Sequence, residues 1–185
     1  MFCRPKLPRH PTRLHLTVVG GPCTGKSQLV MRYTEDKFYD VYASTIGAEL
    51  ALDGGISPTS IRTHQSVYIW DTAGREKEKD TVRRYLVGAH GFLVVFDITD
   101  RASLDHARAW IDELRAFHVP MVLVGTKADL AEQRQVTSEM ARDCGLPYFE
   151  VSAKQKKNVR APFFLLSDLA EAARPHESTQ RCSIL

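Results

Sequence analysis

The sequence predicts an α/β fold with a mostly parallel sheet and helices on both faces, and two observations predict it. Short apolar runs of strand length recur at residues 14–19, 66–70, 91–97, 120–126 and 147–151, with helical patterns between them. Near-continuous apolar runs of this kind suit strands buried on both faces. The first run also leads straight into Gly20-Gly21-Pro22-Cys23-Thr24-Gly25-Lys26-Ser27, and a helical opening from Gln28 to Tyr33 follows. Strand, glycine-rich turn and helix start in that order form one αβ unit whose turn lies beyond the carboxyl end of the strand.

From the start of the chain, residues 1–13 are Pro-rich and carry Arg4, Lys6, Arg9 and Arg13 with no acid. They read as a flexible basic leader. The chain of 185 residues carries a net charge of +3 and is 43% hydrophobic. The charge therefore sits in the leader, and residues 14–173 form a near-neutral single domain with no nucleic-acid surface. Residues 174–185 read as a flexible tail. Cys3, Cys23, Cys144 and Cys182 show no zinc or Cys-x-x-Cys spacing, and no signal peptide precedes them, which favours free thiols in a reducing cytosol.

The turn fits G-x-x-x-x-G-K-[ST], the phosphate-binding loop. Its backbone N–H groups, from Gly21, Cys23, Thr24 and Gly25, would form a nest for a polyphosphate, with Pro22 in contact from the same loop but without an N–H to give. Lys26 would reach the β- and γ-phosphates, the Ser27 hydroxyl would ligate Mg²⁺, and Gln28 opens the helix behind. At the end of the run at 66–70, Trp70-Asp71-Thr72-Ala73-Gly74 supplies an Asp to hold Mg²⁺ through water. Gly74 has no side chain to keep its N–H from the γ-phosphate.

After the run at 91–97, Leu104, Ala107, Ile111 and Leu114 form one helical face that Asp100 or Ser103 could cap. The run at 120–126 ends in Thr126-Lys127-Ala128-Asp129. An Asp carboxylate there can accept from the guanine N1–H and 2-amino group, donors that adenine lacks. Its alternative is an ordinary helix or turn cap. Ser152, Ala153 and Lys154 follow the last run, with backbone N–H groups able to reach the guanine O6. A final helix runs through Val159, Phe163, Leu166 and Ala170, with Pro162 acceptable only in its first turn.

On these motifs the chain resembles the Ras-superfamily small GTPases, and the Rab branch most, over residues 14–172. The resemblance implies the P-loop NTPase fold of a small GTPase G domain, a mostly parallel six-stranded sheet flanked by helices. Its implied cofactor is Mg²⁺, its ligands GTP and GDP, and its reaction hydrolysis of GTP. Ser44-Thr45-Ile46-Gly47 matches the first switch, where Thr45 would ligate Mg²⁺ and meet the γ-phosphate. Phe38 falls where an aromatic packs beside the guanine. Tyr85 with Gly88-Ala89-His90-Gly91 matches the segment after the second switch. Lys26, Gly74 and residue 75 would carry the catalytic chemistry. Exchange factors, activating proteins and effectors would act through the switch segments, in vesicle trafficking or signalling.

The chain departs from the family at several places. Thr126 stands where Asn is commoner. Arg75 replaces the Gln that orients the attacking water. A guanidinium donates hydrogen bonds but accepts none, so whether Arg75 faces solvent or phosphate, slow intrinsic hydrolysis is expected. Pro22 removes an N–H from the loop and crowds the approach of an arginine finger. Cys23 is expected to be buried and inert, an acidified thiol being the alternative. Asp53–Thr59 forms a longer hairpin than in Rab relatives, and Glu78 replaces a common aromatic.

Cys182-Ser183-Ile184-Leu185 fits C-a-a-X, with the final Leu favouring a geranylgeranyl group. One such chain binds membranes weakly, and the basic leader is a candidate second signal. The expected location is cytoplasmic, peripheral on a cytosolic membrane face. Two other readings stand beside the cycling switch. One is a GTP-loaded binding module that barely hydrolyses. The other, a P-loop ATPase or nucleotide kinase, is disfavoured by Asp129 and the lack of an Arg-rich lid.

Overall fold

The structure, a computed structural model, describes residues 13–40, 45–52, 67–74 and 82–174. Residues 1–12 of the leader, the hairpin at 53–59, Ser44, Arg75, Glu78 and Cys182 lie outside the described residues. Six strands form one sheet: β1 (Leu14–Gly20), β2 (Ala48–Leu52), β3 (Val67–Thr72), β4 (Gly91–Asp97), β5 (Met121–Thr126) and β6 (Tyr148–Glu150). Their order is β2-β3-β1-β4-β5-β6. Only β2 runs antiparallel, pairing Ala48 with Thr72 and Leu52 with Tyr68.

Among the described residues the helices are α1 (Lys26–Glu35), α2 (Arg101–Leu114), α3 (Ser138–Arg142) and α4 (Arg160–Ala173). Alternation along the buried strands feeds two cores. Leu93 and Val95 of β4 face a cluster with Leu29, Tyr33, Phe163 and Leu166 from α1 and α4. Phe92, Val94 and Phe96 face another with Leu104, Trp110, Ile111 and Leu114 from α2. Each face is covered, as a parallel sheet requires, and the loops at the carboxyl ends of the strands are left to build a site.

The observed bounds refine the expected ones. Pro120 and Pro147 stand just outside β5 and β6 because proline has no N–H to donate. Their carbonyls still accept from Phe92 and Leu123, both at 2.9 Å. β3 extends to Thr72, so Asp71 lies within the strand rather than after it. β2, half-exposed on the sheet edge, lacked the apolar run that marked the others. Of the two cap candidates, Asp100 caps α2 by accepting from the Ala102 N–H at 3.0 Å. Ser103 turns inward to the backbone of Asp97 and Asp100. Pro162 sits in the first turn of α4.

β6 is short but firmly held. Arg134 meets Glu150 in a fork, Nη1–Oε1 at 2.9 Å and Nη2–Oε2 at 2.7 Å. The Tyr148 and Ser138 hydroxyls donate to Oε1 at 2.9 and 3.0 Å. The Arg134 hydrogen bonds, ahead of the smaller hydroxyl contributions, pull the Glu150 carboxyl down from 4.5 to about 2 against the opposing effect of burial. A depressed folded-state value gives stabilisation that is complete above the ordinary pKa and is lost as pH falls through the folded one. Glu150→Gln is expected to lower the melting temperature at pH 7 and to flatten its fall between pH 4.5 and about 2. Thermal unfolding across that pH range reads the difference.

Candidate functional site

The loop after β1 rises over the end of the sheet and turns into α1. Cys23 and Gly25 take left-handed backbone conformations, φ 57° and 83°. That alternation of hand turns successive N–H groups toward one concavity. The loop is braced at the Gly21 carbonyl, which accepts from Lys26 Nζ at 2.7 Å and from Thr24 Oγ1 at 3.0 Å. Gly74 presses against the same point. A Cβ on Gly74 would lie 2.5 Å from the Gly21 carbonyl oxygen and 2.6 Å from Lys26 Nζ, so no other residue fits there.

Around this loop lies a cavity of about 510 Å³, large enough for a nucleotide. Its wall holds Pro22, Cys23, Gly25, Lys26, Ser27 and Gln28 from the loop and the start of α1, Phe38, Thr45 and Gly74 from the segments that follow α1 and β3, and Thr126, Lys127, Asp129, Ala153 and Lys154 from the ends of β5 and β6. Fourteen residues singled out in the sequence therefore meet on one surface, drawn from six separate stretches of chain. Gly21, Thr24, Asp71 and Ser152 stand behind the wall and support it.

The phosphate-loop end is a desolvated polar cluster. Burial pushes the Lys26 ammonium down to about 8, against the attraction of Asp71. Burial likewise pushes the Asp71 carboxyl up to about 6, opposed by hydrogen bonding from Ser27 and by the charge of Lys26. The Ser27 and Thr45 hydroxyls lie 2.8 Å apart. Among the described residues Asp71 Oδ1 is buried with no hydrogen-bond partner. Two hydroxyls and an unsatisfied carboxylate oxygen form a hard-oxygen donor set, which fits Mg²⁺.

The loops that follow β5 and β6 are tied by side chains. Asp129 is not a cap. Its Oδ1 accepts from the Ser152 hydroxyl at 2.5 Å, and Ser152 Oγ in turn accepts from the Gln155 N–H at 3.0 Å. The Lys127 ammonium pairs with Asp97 at 2.5 Å. Thr126 Oγ1 lies 2.6 Å from the Thr24 carbonyl and 3.0 Å from that of Phe96, so its hydroxyl joins the phosphate loop to the sheet. Lys154 reaches Asp40 across the cavity mouth at 3.4 Å.

This arrangement can be compared with known proteins. A model of the Ras family matches residues 15–172. The chain belongs to the Ras family. It is 36% identical to the GTP-binding protein YPTM1 of Zea mays over 165 residues, 82% of this chain and 75% of that relative. It is 33% identical to the Ras-related protein RABD2a of Arabidopsis thaliana, covering 86% of this chain and 81% of the relative. The Ras-related protein Rab-39A of Homo sapiens is 35% identical over 89% of this chain and 81% of its own. Among these Ras-family relatives the Rab-named ones mark the chain as Rab-like.

Two features differ from the sequence reading. Cys23 is exposed on the cavity wall, not buried, because its left-handed backbone swings the side chain out of the loop. Tyr39, Asp40, Thr72 and Leu130 also line the cavity. No motif marked them, though each adjoins or lies near a residue that was.

Gly21 has a steric reason that no motif carries. A Cβ there would lie 2.9 Å from Nδ1 of His106, whose ring from α2 covers it, and 3.4 Å from the His106 Cβ. Gly21→Ala is therefore expected to destabilise the protein by about 1–3 kcal/mol through overpacking. Adding His106→Ala should return most of that loss. Unfolding of the two single variants and the double variant measures the coupling; equal costs of Gly21→Ala in both backgrounds would refute it.

Proposed function

We propose that this chain is a guanine-nucleotide switch that binds GTP and GDP with Mg²⁺ and hydrolyses GTP slowly. The observation that carries the reading is that Asp129 and Lys26 both line one nucleotide-sized cavity. Asp129 is held by Ser152 and presents a carboxylate to the two donors of guanine. An adenine would leave that carboxylate without its partners. Lys26, now bonded to the Gly21 carbonyl, would turn its charge to the β- and γ-phosphates together with the loop N–H groups. Ser27 and Thr45, with Asp71 behind them, would hold Mg²⁺, which neutralises phosphate charge when bound. The Gly74 N–H would approach the γ-phosphate, so the segments around Thr45 and Gly74 would be ordered by GTP and released by GDP.

Slow hydrolysis follows from chemistry at two positions. Arg75 cannot accept a hydrogen bond from the attacking water. Pro22 stands exposed on the wall without an N–H to give. The second reading, a GTP-loaded binding module, rests on the same two residues. Membrane attachment through a lipid on Cys182, effectors acting at the switch segments and a role in vesicle trafficking belong to the same proposal.

Nucleotide extracted from the purified protein is expected to be guanine nucleotide, mostly GDP for a cycling switch and mostly GTP for the module. Asp129→Ala should weaken GDP binding by about a hundredfold or more in a competition assay. ATP binding as strong as GTP would sink the assignment. In single-turnover hydrolysis, Arg75→Gln is expected to run about tenfold or more faster than wild type. Cys182→Ser should move the protein from the membrane to the soluble fraction of fractionated cells.

A further inference from the structure

The guanine end of the cavity is reached by a side chain that does not line it. Arg32, in the last turns of α1, is almost buried, with 10% of its side chain exposed. Its Nε donates to the Ala153 carbonyl at 2.7 Å. The same guanidinium lies 5.8 Å from the centre of the Phe38 ring, within cation–π range. Nη1 donates to the Asp36 carbonyl at 2.5 Å and to its Oδ1 at 3.1 Å, closing the end of α1. One planar cation thus joins both residues that flank the base position, Phe38 and Ala153, to a helix that begins at Lys26.

We propose that Arg32 is a positioning residue for guanine, fixing the spacing between Phe38 and the loop of Ala153 and thereby setting how long the nucleotide stays bound. The inference rests on the guanine-nucleotide reading of the cavity. Its route to Asp129 is short. Ala153 follows Ser152, whose hydroxyl holds the Asp129 carboxylate, and Ser152 and Lys157 exchange backbone bonds at 3.0 Å. With Arg32 bonded to the Ala153 carbonyl, this loop is pinned to α1. Without that bond, Lys156–Asp36 at 2.6 Å and Lys154–Asp40 at 3.4 Å remain, and both are exposed ion pairs. Exposed pairs of this kind hold little. A lysine at position 32 would keep the charge but not the fork that serves carbonyl and ring together.

The test is GDP release from the full chain with Mg²⁺ present, measured with a fluorescent GDP for the wild type, Arg32→Ala, Arg32→Lys and Asp36→Asn. Arg32→Ala is expected to release GDP about tenfold faster, the scale of one lost charge-assisted hydrogen bond. Arg32→Lys should also release faster than wild type, and Asp36→Asn should stay within about twofold because it alters the helix end but not the base wall. Preference for GDP over inosine diphosphate, which lacks the 2-amino group, should fall in Arg32→Ala. The rate constant for hydrolysis of preloaded GTP should not change. Unchanged GDP release in folded Arg32→Lys or Arg32→Ala overturns the proposal, as does equal acceleration by Asp36→Asn. Unchanged preference between GDP and inosine diphosphate overturns it too. A wild type that binds no guanine nucleotide overturns the functional reading itself, so the two failures are told apart.

Discussion

The site depends on placing a cation and an anion out of water at the adjoining ends of β1 and β3. Lys26 and Asp71 are both buried, and each is pushed toward its neutral form while the other draws it back. Buried charge is costly unless it is paired and hydrogen-bonded. Here the Gly21 carbonyl takes the ammonium, and one carboxylate oxygen is left without a partner among the described residues. A half-satisfied polar pair under a covered sheet is stable only because the surrounding apolar packing is extensive on both faces. Phosphate and a divalent cation are the ligands that would complete it. Binding such ligands would therefore also stabilise this end of the fold.

That constraint explains why small residues crowd the same point. The Gly21 carbonyl is in use by Lys26 and Thr24, Gly74 abuts it, and His106 covers its other side. Nothing can be added to either glycine without displacing the lysine or the imidazole. Thr126, the last residue of β5, then ties the loop to β4 through one hydroxyl proton shared between the Thr24 and Phe96 carbonyls, the Thr24 contact being the shorter. The shorter Thr does here, through one hydroxyl, a joining task that needs only reach between two carbonyls.

Motifs made the site legible wherever the chemistry resides in consecutive residues. The phosphate loop, Asp71 to Gly74, Thr126 to Asp129 and Ser152 to Lys154 each occupy one strand end, and parallel topology brings strand ends together. The fold class was legible for the same reason, since β1, β3, β4 and β5 are buried on both faces and read as apolar runs. β2 was not delimited, because a half-exposed edge strand has no such signature. Cys23 was misjudged because a cysteine's burial depends on the local backbone hand, which residue type does not encode. Arg32 and His106 escaped entirely. Their roles arise from helix faces meeting loops distant in sequence, Arg32 to Ala153 across 121 positions.

Two parts of the cavity wall are built by different means, and this separates what each can control. The phosphate end is made of backbone groups and desolvated charges, with geometry dictated by close contact at two glycines. Changes there alter the chemistry or the stability of the fold. The wall around Asp129 and Ala153 is made of side-chain ties: Ser152 to Asp129, Lys127 to Asp97 and Arg32 to Ala153. Each tie is a separate interaction that can be weakened without unfolding the sheet beneath it. Such a division lets the rate of nucleotide release be tuned apart from the rate of hydrolysis. If Pro22 and Arg75 slow the second as proposed, nucleotide release becomes a separate point of control over how long the GDP-bound state lasts.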